Sequence, residues 1–275
     1  HIGIYGMFPI LDAVQLGTCS IAEVDAMTGT AIGRPKSATF RTLDVGGDKI
    51  YAYNKKYTER NPFLGCRAIR FSLENEPLFR TQLRALLRVP GEYDVRVTFP
   101  MVATLDEWRE AVSALEEERG RLGAPHRLAG MTVEVASAAI LAEAFLREAG
   151  FVTIGTNDLT QFTLAMDRGH PRLSHRADAL DPAVLHLVGR TAAAARKHRI
   201  PAAVCGALAG DLAAVPLLLG LGVGELSVGA AQVPSVKARV REVSLDACRR
   251  LAVEALEATT AAEVRTLIAT WGNAS

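Results

Sequence analysis

The sequence predicts an α/β fold, a (β/α)8 barrel from which the first strand is missing. Short β-branched apolar runs alternate with longer segments whose apolar residues recur every three or four positions, the pattern of a parallel sheet covered by helices. Seven strand-like runs follow one another with no Pro/Gly/Ser-rich linker and no shift of composition between them. No Gly-x-Gly-x-x-Gly turn opens a helix, which weighs against an open doubly wound sheet.

In chain order the expected strands are Ile2–Tyr5, Ala38–Leu43, Val95–Phe99, Met131–Val135, Phe151–Ile154, Ala202–Cys205 and Leu226–Val228. Between them, helical spacing runs over Glu76–Arg88 (Leu78, Phe79, Leu83, Leu86, Leu87), Thr104–Leu122, Ser137–Glu148, Pro182–His198 and Leu212–Leu219. A helical segment fills 244–275, with its pattern clear from Ser244 to Ile268. Asp106, Asp181 and Asp211 stand where side-chain caps serve a helix start, and Pro182 suits a first helical position. Trp108 and the mixed charges of 116–121 read as one solvated helix face. Residues 1–33 are divergent and the least legible, with weak periodicity beyond Met7. The whole of 1–275 reads as one domain that opens at His1 inside a strand, as a fragment would.

Composition narrows the function. With 49% hydrophobic residues, 22% charged residues and 31 basic against 30 acidic side chains, the chain is not of the disordered type. A net charge of +1 supplies no general field for nucleic acid or an anionic membrane, so an anion must be held by a local site. Cys19, Cys66, Cys205 and Cys248 are far apart, without a Cys-x-x-Cys pair, which favours a reducing cytosol over a disulfide framework or structural zinc. The apolar stretch of 213–224 is too short and glycine-rich to span a bilayer.

Unusual polar residues fall at carboxyl-terminal strand ends, where barrel active sites are assembled. Arg41 ends the second expected strand, Glu134 the fourth, Asn157 and Asp158 follow the fifth, and Cys205 closes the sixth. Glu134 and Asp158 offer two hard oxygen ligands, suited to a Mg²⁺ that keeps its other positions for water and substrate. Arg41, Arg67 and Arg168, with Lys49, provide fixed positive charge for a phosphate and a carboxylate. Gly46-Gly47 lets backbone approach an anion. The same carboxylates and arginines could instead be a buried structural ion-pair cluster, and Cys205 alone would read as a packed small apolar residue. His170 and His175, five apart, read as ordinary loop residues.

Arg41-Thr-Leu-Asp-Val-Gly-Gly-Asp-Lys49, Asn61-Pro-Phe-Leu-Gly-Cys-Arg67-Ala-Ile-Arg70, Gly155-Thr-Asn-Asp-Leu-Thr-Gln161, Asp167-Arg168-Gly169, Val204-Cys-Gly206 and Leu208-Ala-Gly-Asp211 appear in this order. From about Arg34 onward the chain resembles the phosphoenolpyruvate (PEP)-binding domain of enzyme I of the bacterial sugar phosphotransferase system. The resemblance implies a cytoplasmic barrel that binds PEP and Mg²⁺, releases pyruvate, and forms a homodimer. By its motifs, Arg41, Arg67, Arg168 and Asn157 correspond to substrate contacts, with Lys49 nearby. Glu134 and Asp158 correspond to metal ligands, Asp158 also touching substrate, and Cys205 to the proton donor. The phosphoryl group would pass to a histidine on a separate N-terminal domain, then to a histidine phosphocarrier protein for sugar uptake.

Some positions depart from that pattern. Ile2-Gly-Ile-Tyr-Gly-Met-Phe8 matches a family strand in part, but places Gly6 where a substrate-binding arginine is expected. One such charge-assisted contact is worth about 1.5–3 kcal/mol. Ala207 stands for an acidic residue and His170 for an asparagine. These departures keep two alternatives in view: a catalytically impaired regulatory or binding homologue, and a dikinase or PEP synthase-type domain.

Overall fold

The computed structural model describes residues 37–44, 59–89 and 94–271. The expected strand Ile2–Tyr5, Gly6, the divergent stretch up to residue 33, Cys19, Gly46-Gly47 and Lys49 all lie outside the described residues. Six strands form one sheet in sequence order: β1 (Ser37–Arg41), β2 (Asp94–Phe99), β3 (Leu128–Val133), β4 (Phe151–Gly155), β5 (Ala202–Cys205) and β6 (Glu225–Leu226). Every neighbouring pair is parallel, and the sheet curls as a half-barrel.

The covering helices are α1 (Ile69–Glu74), α2 (Glu76–Leu87), α3 (Leu105–Leu122), α4 (Ala136–Ile140), α5 (Ala142–Leu146), α6 (Thr156–Leu164), α7 (Pro182–His198), α8 (Val215–Gly220), α9 (Val233–Glu242), α10 (Leu245–Glu257) and α11 (Ala261–Trp271). Register runs Arg41 opposite Thr98, Phe99 opposite Met131, Val133 opposite Ile154, and Gly155 opposite Cys205. The carboxyl ends of β1 to β5 therefore lie side by side.

Two apolar clusters hold the sheet to its helices. Phe79 of α2, Phe99 of β2 and Trp108 of α3 stack edge to face at 6.1 and 5.9 Å, within a cluster that includes Leu83, Met131 and Phe145. The second packs Ile154 and Val204 against Val184, Val188, Leu217 and Leu251.

Several expectations need correction. Trp108 is 1% exposed and Glu118 equally buried, so neither lies on the solvated face of α3, which carries Arg109, Glu110, Ser113 and Glu117 instead. Glu118 instead joins α2 to α3 by accepting from Arg80, Arg84 and Arg121 at 3.1, 3.3 and 2.9 Å. The cap of α3 is Thr104, in a reciprocal box with Glu107, and Asp106 lies within the first turn. Asp181 does cap α7, accepting from the Ala183 N–H at 2.9 Å ahead of Pro182. Asp211 accepts from Ala213 N–H in a turn that precedes α8, which starts at Val215, not Leu212.

The fourth expected strand is shifted to Leu128–Val133, leaving Glu134 just past its end. The last is Glu225–Leu226, not Leu226–Val228. The expected helix over Ser137–Glu148 breaks at Leu141, where φ −95° and ψ 16° leave the helical region. The helical tail divides into α10 and α11, preceded by α9.

Candidate functional site

Arg41, the last residue of β1, reaches across the sheet end to Glu134 beyond β3, with Nη2 donating to Oε1 at 2.6 Å. It also pairs with Asp44 Oδ2 at 3.4 Å. The second Glu134 oxygen accepts from the Met101 N–H at 2.9 Å. Met101 holds φ 59°, a strained value for a residue with a Cβ, just beyond β2. Gly155 leaves room for Glu134, because a Cβ there would lie 2.6 Å from Glu134 Cγ.

Arg67 is fully buried and serves two carboxylates. Nη2 donates to both Asp44 oxygens at 3.0 and 3.1 Å, and Nη1 donates to Asp158 Oδ1 at 3.3 Å. Asp158 sits in the first turn of α6, which begins directly at the end of β4. Arg168 approaches the same carboxylate, Nη2 to Oδ1, at 3.8 Å. The guanidinium carbons of Arg67 and Arg168 lie 5.9 and 5.6 Å from the centre of the Phe63 ring. Gln161, also in α6, accepts the Arg168 N–H at 3.0 Å and so ties the loop carrying Arg168 back to the site.

The last wall is β5 and the turn after it. Thr156 Oγ1 donates to the Cys205 carbonyl at 2.8 Å, and Asn157 Oδ1 accepts from the Ala207 N–H at 3.0 Å. Gly206 lies between them at φ 95°, where a Cβ would be 2.6 Å from Thr156 Oγ1.

The electrostatics follow from this crowding. Burial works against the charge on Arg41, yet Glu134 and Asp44 hold its guanidinium above the ordinary arginine range. Arg67 is raised in the same way, by Asp44 and Asp158 against burial. Burial, opposed by Arg41 but aided by Asp158 and Asp44, raises the Glu134 carboxyl to about 7. Desolvation, then the negative charge of Glu134, pushes the Cys205 thiol up to about 12. Arg41 Nε is buried and finds no acceptor among the described residues.

The structure thus brings together Arg41, Arg67, Glu134, Asp158, Arg168, Asn157 and Cys205 at one end of the sheet. Asp44, Phe63 and Gln161 belong there too. All three stand inside motifs that the sequence displays, but only their charged or amide neighbours stood out. Among the described residues, no group of three or more His, Cys, Asp or Glu could hold a metal ion. A cation here would use the carboxylates of Glu134 and Asp158 and take its remaining ligands elsewhere, which suits Mg²⁺. Each of these carboxylates is already paired with an arginine, Glu134 with Arg41 and Asp158 with Arg67 and Arg168. No helix among the described residues is long and apolar enough to cross a membrane.

A family model described as the PEP-binding domain of PEP-utilising enzymes matches residues 21–245. Among curated proteins, a multiphosphoryl transfer protein of Rhodobacter capsulatus is 48% identical over 247 residues, covering 90% of this chain and 30% of that protein. A phosphoenolpyruvate-protein phosphotransferase of Listeria monocytogenes is 42% identical over 239 residues, covering 85% of this chain and 42% of that protein. The chain therefore spans less than half the length of these relatives. Among solved structures, malate synthase of Haloferax volcanii aligns with a TM-score of 0.48 at 18% identity, over 64% of this chain and 53% of that one.

Proposed function

The chain belongs to the PEP-utilising enzymes, by their PEP-binding domain, and from that premise we propose that it is the PEP-binding domain of a cytoplasmic PEP–protein phosphotransferase. The supporting observation is the meeting of Arg41, Arg67 and Arg168 with Glu134 and Asp158 at the carboxyl end of a parallel sheet. In this reading the six strands are part of a (β/α)8 barrel that forms one domain and pairs as a homodimer.

Arg41, Arg67 and Arg168 would grip the phosphate and carboxylate of PEP, together with Asn157 and Lys49. Each guanidinium exchanges a carboxylate partner for a substrate oxygen, so the positive charge is in place before substrate arrives. Glu134 and Asp158 would hold Mg²⁺, which when bound supplies positive charge to the phosphoryl oxygens. The phosphoryl group would leave the enol oxygen of PEP for a histidine nitrogen on an N-terminal domain, and from there pass to a phosphocarrier protein for sugar uptake. The remaining enolate would take a proton at carbon from Cys205 Sγ, giving pyruvate and a thiolate that solvent reprotonates. A thiol raised to about 12 remains protonated at neutral pH, as a proton donor must.

The test is calorimetric titration of PEP with and without Mg²⁺, on the wild type and Asp158→Asn. Metal-dependent uptake that the substitution abolishes is the expected result. A cooperatively melting chain that takes up no PEP under either condition would overturn the reading.

A further inference from the structure

The turn that precedes α1 carries Phe63 over two cations, and that placement is built. Leu64 N–H donates to the Asn61 carbonyl at 2.9 Å, and Arg70 Nη1 donates to the Leu64 and Gly65 carbonyls at 2.9 and 3.3 Å. Cys66 N–H donates to Glu59 Oε1 at 2.8 Å, closing the other side. The turn is thereby fixed against α1 although Asn61, Pro62 and Leu64 are exposed. Phe63 points inward from it, its ring centre 5.9 Å from the Arg67 guanidinium and 5.6 Å from that of Arg168.

Arg67 is fully buried and hydrogen-bonded to Asp44 and Asp158. Arg168 comes from a distant loop, is partly exposed, and meets Asp158 at the longer distance of 3.8 Å. Two guanidiniums sharing one carboxylate repel each other, and an aromatic ring attracts both through its negative face. We propose that Phe63 is a positioning residue for substrate binding: its ring sets the spacing of Arg67 and Arg168 so that the two cations act on one dianionic ligand. This rests on the PEP-binding reading and adds to it a residue that touches no substrate charge.

The experiment compares PEP uptake in the presence of Mg²⁺ by the 275-residue chain as wild type, Phe63→Leu and Phe63→Tyr, each with its thermal midpoint. Leucine keeps apolar bulk and removes the π face, whereas tyrosine keeps both. Two cation–π contacts predict an affinity about 5- to 30-fold weaker for Phe63→Leu, recovered in Phe63→Tyr, with the three midpoints alike. Phe63→Leu binding as tightly as a wild type that does bind PEP would overturn the positioning role and leave the functional reading standing. Loss of affinity that follows the midpoint in both variants would assign Phe63 to packing and overturn the role equally. A wild type that takes up no PEP would overturn the functional reading, and this role with it.

Discussion

Arg41 and Glu134 meet at 2.6 Å although 93 residues separate them, and the pair closes the gap from the end of β1 to the end of β3. Neither is an isolated surface ion: Glu134 is buried, and its other oxygen is taken by the Met101 N–H. The pair therefore couples sheet geometry to the protonation of one carboxyl group.

That coupling gives a pH dependence of known sign. Burial raises Glu134 to about 7 in the folded chain, above its unfolded value near 4.5. Folding then favours the protonated carboxyl, so this contribution to stability is complete below about 4.5 and is lost as pH rises through 7. Glu134→Gln stays neutral throughout. Urea unfolding across mildly acidic to mildly alkaline pH should show the variant gaining on the wild type as pH rises, with the change concentrated below about 7. Parallel stability curves would contradict the raised value.

Arg67 offers a sharper test of the cluster. It is wholly buried between Asp44 and Asp158, so its removal leaves two carboxylates without their shared cation. Arg67→Met should cost about 3–5 kcal/mol, read as a shift in the urea midpoint near neutral pH. Arg67→Lys should also destabilise, because an ammonium cannot span both carboxylates as the planar fork does. Full rescue by lysine would mean that only charge matters here.

The Cys205 thiol makes a kinetic prediction. Pushed up to about 12, it is thiolate only to about one part in ten thousand at pH 8, whereas an ordinary cysteine is roughly a quarter ionised. Alkylation by iodoacetamide, followed by mass spectrometry of the peptide containing Cys205, should run about two-thousandfold slower than that of a free thiol. Its rate should still climb about tenfold per pH unit at about pH 10. A plateau near pH 9 would show an ordinary thiol.

The parts legible in the sequence are those with strong local signals. Asp181-Pro182 announces α7, and its apolar stripe carries the reading to His198, where the structure ends the helix. Ala202–Cys205 is found intact because a buried parallel strand is a bare apolar run. α6 is not legible, because it buries Asp158 and Gln161 toward the site and Thr160 against its own backbone, and buried polar residues erase the apolar period. α9 carries only Val233, Val236 and Val240 at helical spacing among charged neighbours, and of these only Val236 is buried, so its signal is weak. Trp108 reads as exposed in sequence because its charged neighbours hide which way the helix turns its one large ring. Asp44 illustrates the same limit at the site: it lies between the more conspicuous Arg41 and the glycine pair, and only tertiary contact reveals it under Arg67.

Gly155 makes the last prediction, because it tests whether sheet packing and the site are one design. Gly155 ends β4 beside Cys205, and Glu134 leans over it. A Cβ there would stand 2.6 Å from Glu134 Cγ and 2.7 Å from Oε1, closer than unbonded atoms allow. Glu134 would have to turn away, giving up Arg41 or the Met101 N–H, both of which satisfy a buried carboxylate. Gly155→Ala should therefore cost about 1–3 kcal/mol in the wild-type background. With Glu134→Ala already present the obstacle is gone, and the same substitution should cost far less. A double-mutant cycle by urea unfolding measures the difference, and a coupling of about 1 kcal/mol or more is expected for residues in direct contact. Additive effects would place the cost in the backbone of β4 itself, and Glu134 would then owe nothing to the glycine beneath it.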